Sequence, residues 1–175
     1  LFNQFVWDDY YLIVENPYIK NFKFIPNLFS GDLIYSTIER HVESSYYRPL
    51  SMLSFMVDYK IWRLNPFGYH LTNITIHLLN SLLVFLIVFE ISKNIGVSFI
   101  TGAFFVVHPI HVEAVVPIYN RMGIQAAFLM FSSLFLFMKS KDFSRRGFLS
   151  GALFLFVMAL FSKEEAIILP LIFLC

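Results

Sequence analysis

Residues 69–90 read YHLTNITIHLLNSLLVFLIVFE, and no Asp, Glu, Lys or Arg interrupts them before the closing Glu90. A hydrocarbon core of about 30 Å is crossed by a helix of about twenty such residues. A charge at mid-membrane costs about 2.5–3.5 kcal/mol on insertion scales, so this stretch reads as a span. Downstream, apolar segments recur near 95–108, 123–138 and 148–161, and a further one, cut short, starts at 166. Pro109 predicts a kink where the second segment runs on toward Val116. Lys163, Glu164 and Glu165 separate the last two segments and predict a break there instead of one long helix. The fold class is therefore an all-α membrane protein, a multi-pass helical bundle occupying 69–175. Asn73-Ile74-Thr75 matches the N-glycosylation pattern, but it lies inside the first span and out of reach.

Upstream the character changes. Residues 1–68 carry Asp8, Asp9, Glu15, Asp32, Glu39, Glu43 and Asp58 against Lys20, Lys23, Arg40, Arg48, Lys60 and Arg63. This composition predicts a folded outer or lumenal loop. Within it, PLSMLSFMVDYKIWRL at 49–64 places Leu50, Leu53, Val57, Ile61 and Leu64 at three- and four-residue steps. Such spacing gives one apolar helix face, with Tyr59 and Trp62 suited to the headgroup level. A helix lying on the membrane surface is expected; packing on protein is the alternative.

The whole composition agrees with a bilayer environment. Hydrophobic residues make up 58% and charged residues 14%, against about a quarter charged in soluble domains. A net charge of +1 without basic stripes argues against nucleic acid as a partner. The single cysteine, Cys175, excludes an internal disulfide and a cysteine zinc site. A start at Leu1 and an apolar finish read as a piece of a longer chain, with at least one helix before it.

Orientation follows from basic residues. KSKDFSRRG at 139–147 concentrates Lys139, Lys141, Arg145 and Arg146, which marks a cytoplasmic loop. Counting spans puts 92–94 on that side as well. The same count puts 1–68, the 108–121 turn and the 163–165 break together on the opposite face.

That face collects the chemistry. Asp8 and Asp9 are adjacent carboxylates able to supply a general base or a metal ligand; a cap or turn is the competing reading. His108, His111 and Glu113, in HPIHVE at 108–113, can bind a divalent metal or hydrogen-bond a phosphate, or merely satisfy helix-end carbonyls. Their spacing is not the HExxH pattern of a zinc protease. Arg48 and Arg121 are candidates for bidentate contact with a lipid phosphate, against simple snorkelling to headgroups. Lys163 and Glu164 lie at membrane depth, where ionisable groups mark a substrate path or an internal pair.

Taken together, FVWDDYYLIVENPYIKN (5–21), SYYRPLSMLSFMVDYKIW (45–62), LNPFGYHLTNITIHLLN (64–80), HPIHVEAVV (108–116) and FSKEEAIILPL (161–171) carry a family resemblance. In order and spacing they resemble the N-terminal membrane region of the tetratricopeptide-repeat-containing transmembrane O-mannosyltransferases and their prokaryotic relatives. These belong to the C-type glycosyltransferase superfamily. The resemblance implies a multi-pass enzyme that moves a sugar, mannose, from a polyprenyl-phosphate donor to a hydroxyl acceptor on protein Ser/Thr or glycan. It implies that Asp8 and Asp9 are catalytic, that His108, His111, Glu113 and Arg121 line the outer cavity, and that Lys163 or Glu164 sits near the donor phosphate. Arg48 would join Lys163 on that phosphate. Relatives carry Gly-Arg-Ala-Asp or Gly-Arg-Ala-Glu at the arginine turn, where this chain has Asn120-Arg121-Met122-Gly123-Ile124, which leaves altered specificity open. No cofactor is demanded, a divalent metal being the one candidate. The expected setting is a prokaryotic plasma membrane in preference to the endoplasmic reticulum. A transporter or scaffold using the same cavity, and a metalloenzyme built on His108, His111 and Glu113, are the alternatives.

Overall fold

The computed structural model describes residues 3–30, 47–140 and 146–173. Asp32, Glu39, Arg40 and Glu43 of the first loop, Lys141 and Arg145 of the basic loop, and Cys175 lie outside the described residues. Five helices of more than ten residues are described: α1 (Pro49–Trp62), α2 (Pro66–Ser92), α3 (Ile95–Val107), α4 (Arg121–Lys139) and α5 (Arg146–Leu160). Shorter pieces precede α1, among them a π-helical turn Tyr10–Val14 and a helix Ile25–Ser30. A 3-10 segment Glu164–Ile168 and a helical turn Leu169–Phe173 follow α5. Among the described residues there is no strand.

Local chemistry sets these boundaries. Asn65 accepts a hydrogen bond from the Phe67 amide and Pro66 occupies the first turn, so α2 starts there. It stops at Lys93, whose φ of 52° is left-handed. One residue later, Asn94 caps α3 by accepting from the Gly96 and Val97 amides. At the other end, His108 is extended ahead of Pro109, as a residue before proline prefers. The chain then bends by 47° into Pro109–Val115.

Among the described residues two helices, Pro66–Ser92 and Ile118–Lys139, are long and apolar enough to cross a membrane, and the bent pair counts as a third when taken as one span; Gly147–Leu160 is a shorter apolar helix. Their packing is that of a membrane protein. On α3 only Ser98 and Gly102 are buried, while Ile95 is 70%, Phe99 68% and Ile100 69% exposed. Small residues face the bundle and large apolar ones face outward, because lipid solvates Phe and Ile while close helix contact gains from small side chains. The Ser81 hydroxyl donates to the Gly102 carbonyl at 2.7 Å, and a Cβ on Gly102 would come within 3.1 Å of Phe85. α2 packs on α3 and α4, and α4 packs on α5.

The first loop does not hang free of this bundle. Its core unites Leu12, Ile13, Ile19 and Leu28 with Met52, Phe55 and Met56 of α1, Tyr69 of α2, and Ile118. α1 is thus two-faced. Ser51, Met52, Phe55, Met56 and Asp58 are buried against protein, whereas Val57, Ile61 and Leu64 of the expected apolar face are exposed. Trp62 is half-buried. Its ring lies so close to Gly68 that an added Cβ would sit 2.1 Å from it. At the opposite end of the bundle Glu90 meets Lys139 at 2.6 Å and Lys93 at 3.1 Å, bringing the ends of α2 and α4 together.

Candidate functional site

The segment 117–123, which leads from the bent helix pair into the first turn of α4, is where the polar elements meet. From the first loop, the Asp9 carboxylate is fully buried and accepts the Tyr119 amide at 2.8 Å and the Val6 amide at 3.0 Å. The Asp9 amide in turn donates to the Val6 carbonyl at 3.0 Å. This closed turn holds Trp7 at a left-handed φ of 48°. Burial pushes the Asp9 carboxyl above its ordinary value, while the two amides and nearby His70 act the other way. Asp9 therefore serves as the turn and tether, and its neighbour Asp8 is exposed to solvent. Of the doublet, only Asp8 presents its side chain at the surface.

Arg121 crosses beneath this turn with no exposed surface. Its Nε donates to the Asn73 side-chain oxygen at 2.8 Å and its Nη2 to the Tyr69 carbonyl at 2.9 Å. Nη1 meets Asp58 Oδ2 at 2.6 Å, a buried ion pair. The guanidinium also lies over the Phe55 and Tyr69 rings, 4.6 and 5.7 Å from their centroids. Asn73 completes the crossing by donating to the Val115 and Pro117 carbonyls at 3.1 and 3.2 Å. Instead of facing a lipid phosphate, Arg121 ties α1, α2 and α4 together.

Arg48 stands at the start of α1. It makes a two-pronged contact with Glu164, Nη2 to Oε1 at 2.6 Å and Nε to Oε2 at 3.1 Å, and its Nη1 reaches Met122 Sδ at 3.2 Å. These bonds hold the Glu164 carboxyl below its ordinary value, although its side chain is 58% exposed. Beside it, Lys163 pairs with Glu165 at 2.9 Å. The Lys163 ammonium also lies 3.9 Å from where a Cβ on Gly123 would be. Backbone contacts fix this alignment, since the Leu50 amide donates to the Phe161 carbonyl at 3.2 Å and the Ser51 hydroxyl to the Ser162 carbonyl at 3.3 Å. The first loop and the late break are thus stitched together across α4.

The histidines form a second group, His77 on α2 and His108 and His111 at the bend after α3. His111 packs on Phe105, with ring centroids 4.3 Å apart, and lies 5.2 Å from His77 and 6.2 Å from His108. His108 uses its Nδ1 to accept the Ile110 amide at 3.2 Å, a capping role. Thr101, Phe104, Phe105, His108, Ile110 and His111 line a groove of about 280 Å³. Glu113 is exposed, and its carbonyl accepts from Asn120 at 2.7 Å. Among the described residues no three His, Cys, Asp or Glu side chains gather to hold a metal ion. His108, His111 and Glu113 therefore do not converge as a ligand set.

Asp58, Tyr69, Asn73 and Asn80 are absent from the candidates read in the sequence, yet they build the frame. One signal was available. His70, Asn73, His77, Asn80 and Ser81 recur at three- and four-residue steps inside an otherwise apolar span, and all are buried. A polar stripe in a membrane helix points inward.

No family model matches the chain, and no solved structure matches it. Curated relatives do. The chain is 32% identical to human Protein O-mannosyl-transferase TMTC1 over 94% of its own length and 20% of the relative. It is 31% identical to mouse Protein O-mannosyl-transferase TMTC3 over 81% of the chain and 15% of the relative. It is 27% identical to Protein O-mannosyl-transferase F38B6.6 of Caenorhabditis elegans over 98% of the chain and 24% of the relative. These relatives are animal proteins, so the expected prokaryotic plasma membrane finds no support in them, whereas an integral membrane protein does. The chain spans about a fifth of the length of the human relative. With these alignments and its apolar helices, it belongs to the transmembrane O-mannosyltransferase family.

Proposed function

We propose that this chain is part of a C-type membrane glycosyltransferase. It transfers mannose from a polyprenyl-phosphate donor to a serine or threonine hydroxyl of a protein on the non-cytoplasmic side. The observation that carries the reading is the convergence on 117–123 of the acidic turn, through Asp9 and Tyr119, and of the Arg48–Glu164 pair, through Met122. Names of relatives support mannosyl transfer to protein. The endoplasmic reticulum is the membrane we propose, because the relatives are eukaryotic.

In this mechanism the acceptor oxygen attacks the sugar's anomeric carbon as the bond from that carbon to the phosphate oxygen breaks. The acceptor proton passes to the exposed Asp8 carboxylate, a general-base contribution of about 10²–10⁴-fold. The electron pair leaves with the polyprenyl phosphate, whose charge falls to Arg48 and Lys163. Attack opposite the leaving group inverts the anomeric centre. Asp9 and Arg121 act at one remove, the first holding the turn that presents Asp8 and the second fixing the helices beneath. His108, His111 and Glu113 border the same outer face, where donor or acceptor passes.

A transfer assay of the full-length protein with polyprenyl-phosphate mannose tests this. Asp8→Asn should lower transfer by at least about 10²-fold while the protein still purifies as a monodisperse species. Undiminished transfer by that variant would remove Asp8 from the reaction. A scaffold or transporter would instead bind donor with no transfer product from the wild-type protein either.

A further inference from the structure

Around Met122–Gly123 the structure sets two cations and leaves out one side chain. Arg48 arrives from α1 and contacts Met122, and Lys163 arrives from the break after α5 and lies over Gly123. Each cation is occupied by a carboxylate from the next two positions of one short segment, Arg48 by Glu164 and Lys163 by Glu165. The two pairs are not buried pins. The side chains of Glu164 and Glu165 are 58% and 70% exposed, whereas those of Arg48 and Lys163 are only 14% and 26% exposed. The cations are thus held in place by the fold while their anions stand at the solvent edge. A carboxylate in a two-pronged contact with a guanidinium has the same charge and oxygen spacing that a phosphate offers the same fork.

We propose that Arg48, Lys163 and the bare Gly123 form a notch for the phosphate monoester that leaves the donor, and that Glu164 fills its Arg48 side until the phosphate takes its place. This rests on the function proposed above and adds to it the exchange of one resident anion for another. Glu164 is the exposed member of its pair, so water can take over its contact, displacing it costs the fold little, and the phosphate gains the cation already aimed. The missing side chain at Gly123 has a defined part. A carboxylate added there would project at Lys163 and neutralise the notch, whereas a methyl group would meet Lys163 only at ordinary contact distance.

The test is equilibrium binding of farnesyl monophosphate to the full-length protein in detergent, with inorganic phosphate and phosphatidic-acid vesicles as parallel probes. Glu164→Gln should bind farnesyl monophosphate several-fold more tightly than wild type, and Gly123→Asp several-fold more weakly, with Gly123→Ala near wild type. Inorganic phosphate competing at similar concentration would assign the notch to the phosphate group alone. Much tighter farnesyl monophosphate binding would assign it to the lipid-linked form, and equal response to the vesicles to headgroups in general. If Arg48→Gln weakens binding but neither Glu164→Gln nor Glu164→Ala tightens it, the exchange of anions is overturned and the site for the leaving phosphate stands. If Arg48→Gln leaves binding unchanged, the donor-phosphate site proposed above falls as well.

Discussion

Two arginines of this chain answer the same chemical question in opposite ways. Arg121 has no exposed surface, and Asp58, Asn73 and the Tyr69 carbonyl enclose its guanidinium under two aromatic rings. Arg48 sits at the rim with an exposed carboxylate as partner. Desolvated on every side, the first pair is committed, because removing one member strands a charge in a medium that cannot solvate it. The second is exchangeable, because water or another anion can stand in for Glu164. An arginine in a membrane protein therefore reads as frame or as site according to who else reaches its partner.

The contrast is broken most directly at Asp58 and Arg121. Arg121→Met leaves the Asp58 carboxylate buried without its cation and should cost about 3–5 kcal/mol. Thermal denaturation of full-length protein in detergent measures it, and an unchanged midpoint would put Arg121 back among the substrate contacts. A smaller effect is expected where α1 turns into α2. Gly68→Ala forces the Trp62 ring aside, and overpacking of this kind costs about 1–3 kcal/mol. The same melting measurement reads it, and no loss would mean that Trp62 does not rest on Gly68. At the rim, Arg48→Gln should change stability by less than about 1 kcal/mol while the same variant weakens phosphate binding. A loss as large as that at Arg121 would erase the distinction between the two arginines.

The smallest effect is one of pH. Glu164 has its folded pKa lowered by hydrogen bonds from Arg48, so its contribution to stability is present above the ordinary value of 4.5. That contribution is lost as pH falls below 4.5 through the folded value, where the carboxyl protonates and releases the arginine. The difference in melting midpoint between wild type and Glu164→Gln should shrink across that window and stay flat above it. A difference that grows on acidification would reverse the assignment.

How much of this was legible before the structure varies with the kind of signal. The all-α membrane class was, because mean composition over about twenty residues is what a bilayer selects. So was the break at 163–165, since three charges cannot lie in hydrocarbon unmarked. The partner of Arg121 was not. Asp58 lies far from it in sequence, on a helix whose apolar steps drew attention to the opposite face, and nothing local distinguishes a carboxylate that pairs from one that is solvated. Asn73 was hidden differently, its glycosylation-like context distracting from its place in a polar stripe. The division of labour within Asp8 and Asp9 was equally invisible. Adjacent identical residues differ only in where a turn points them, and the amides of Val6 and Tyr119 that claim Asp9 come from two separate segments.

The proposed chemistry requires the acidic turn and the late charged break to lie on one side of the membrane. Single cysteines at the two ends of that claim, Asp8→Cys and Glu164→Cys on a background without other cysteines, can be tested in sealed vesicles with a membrane-impermeant maleimide. Both should react only from the non-cytoplasmic side. Labelling of the two from opposite sides would contradict the shared face and the chemistry assigned to it.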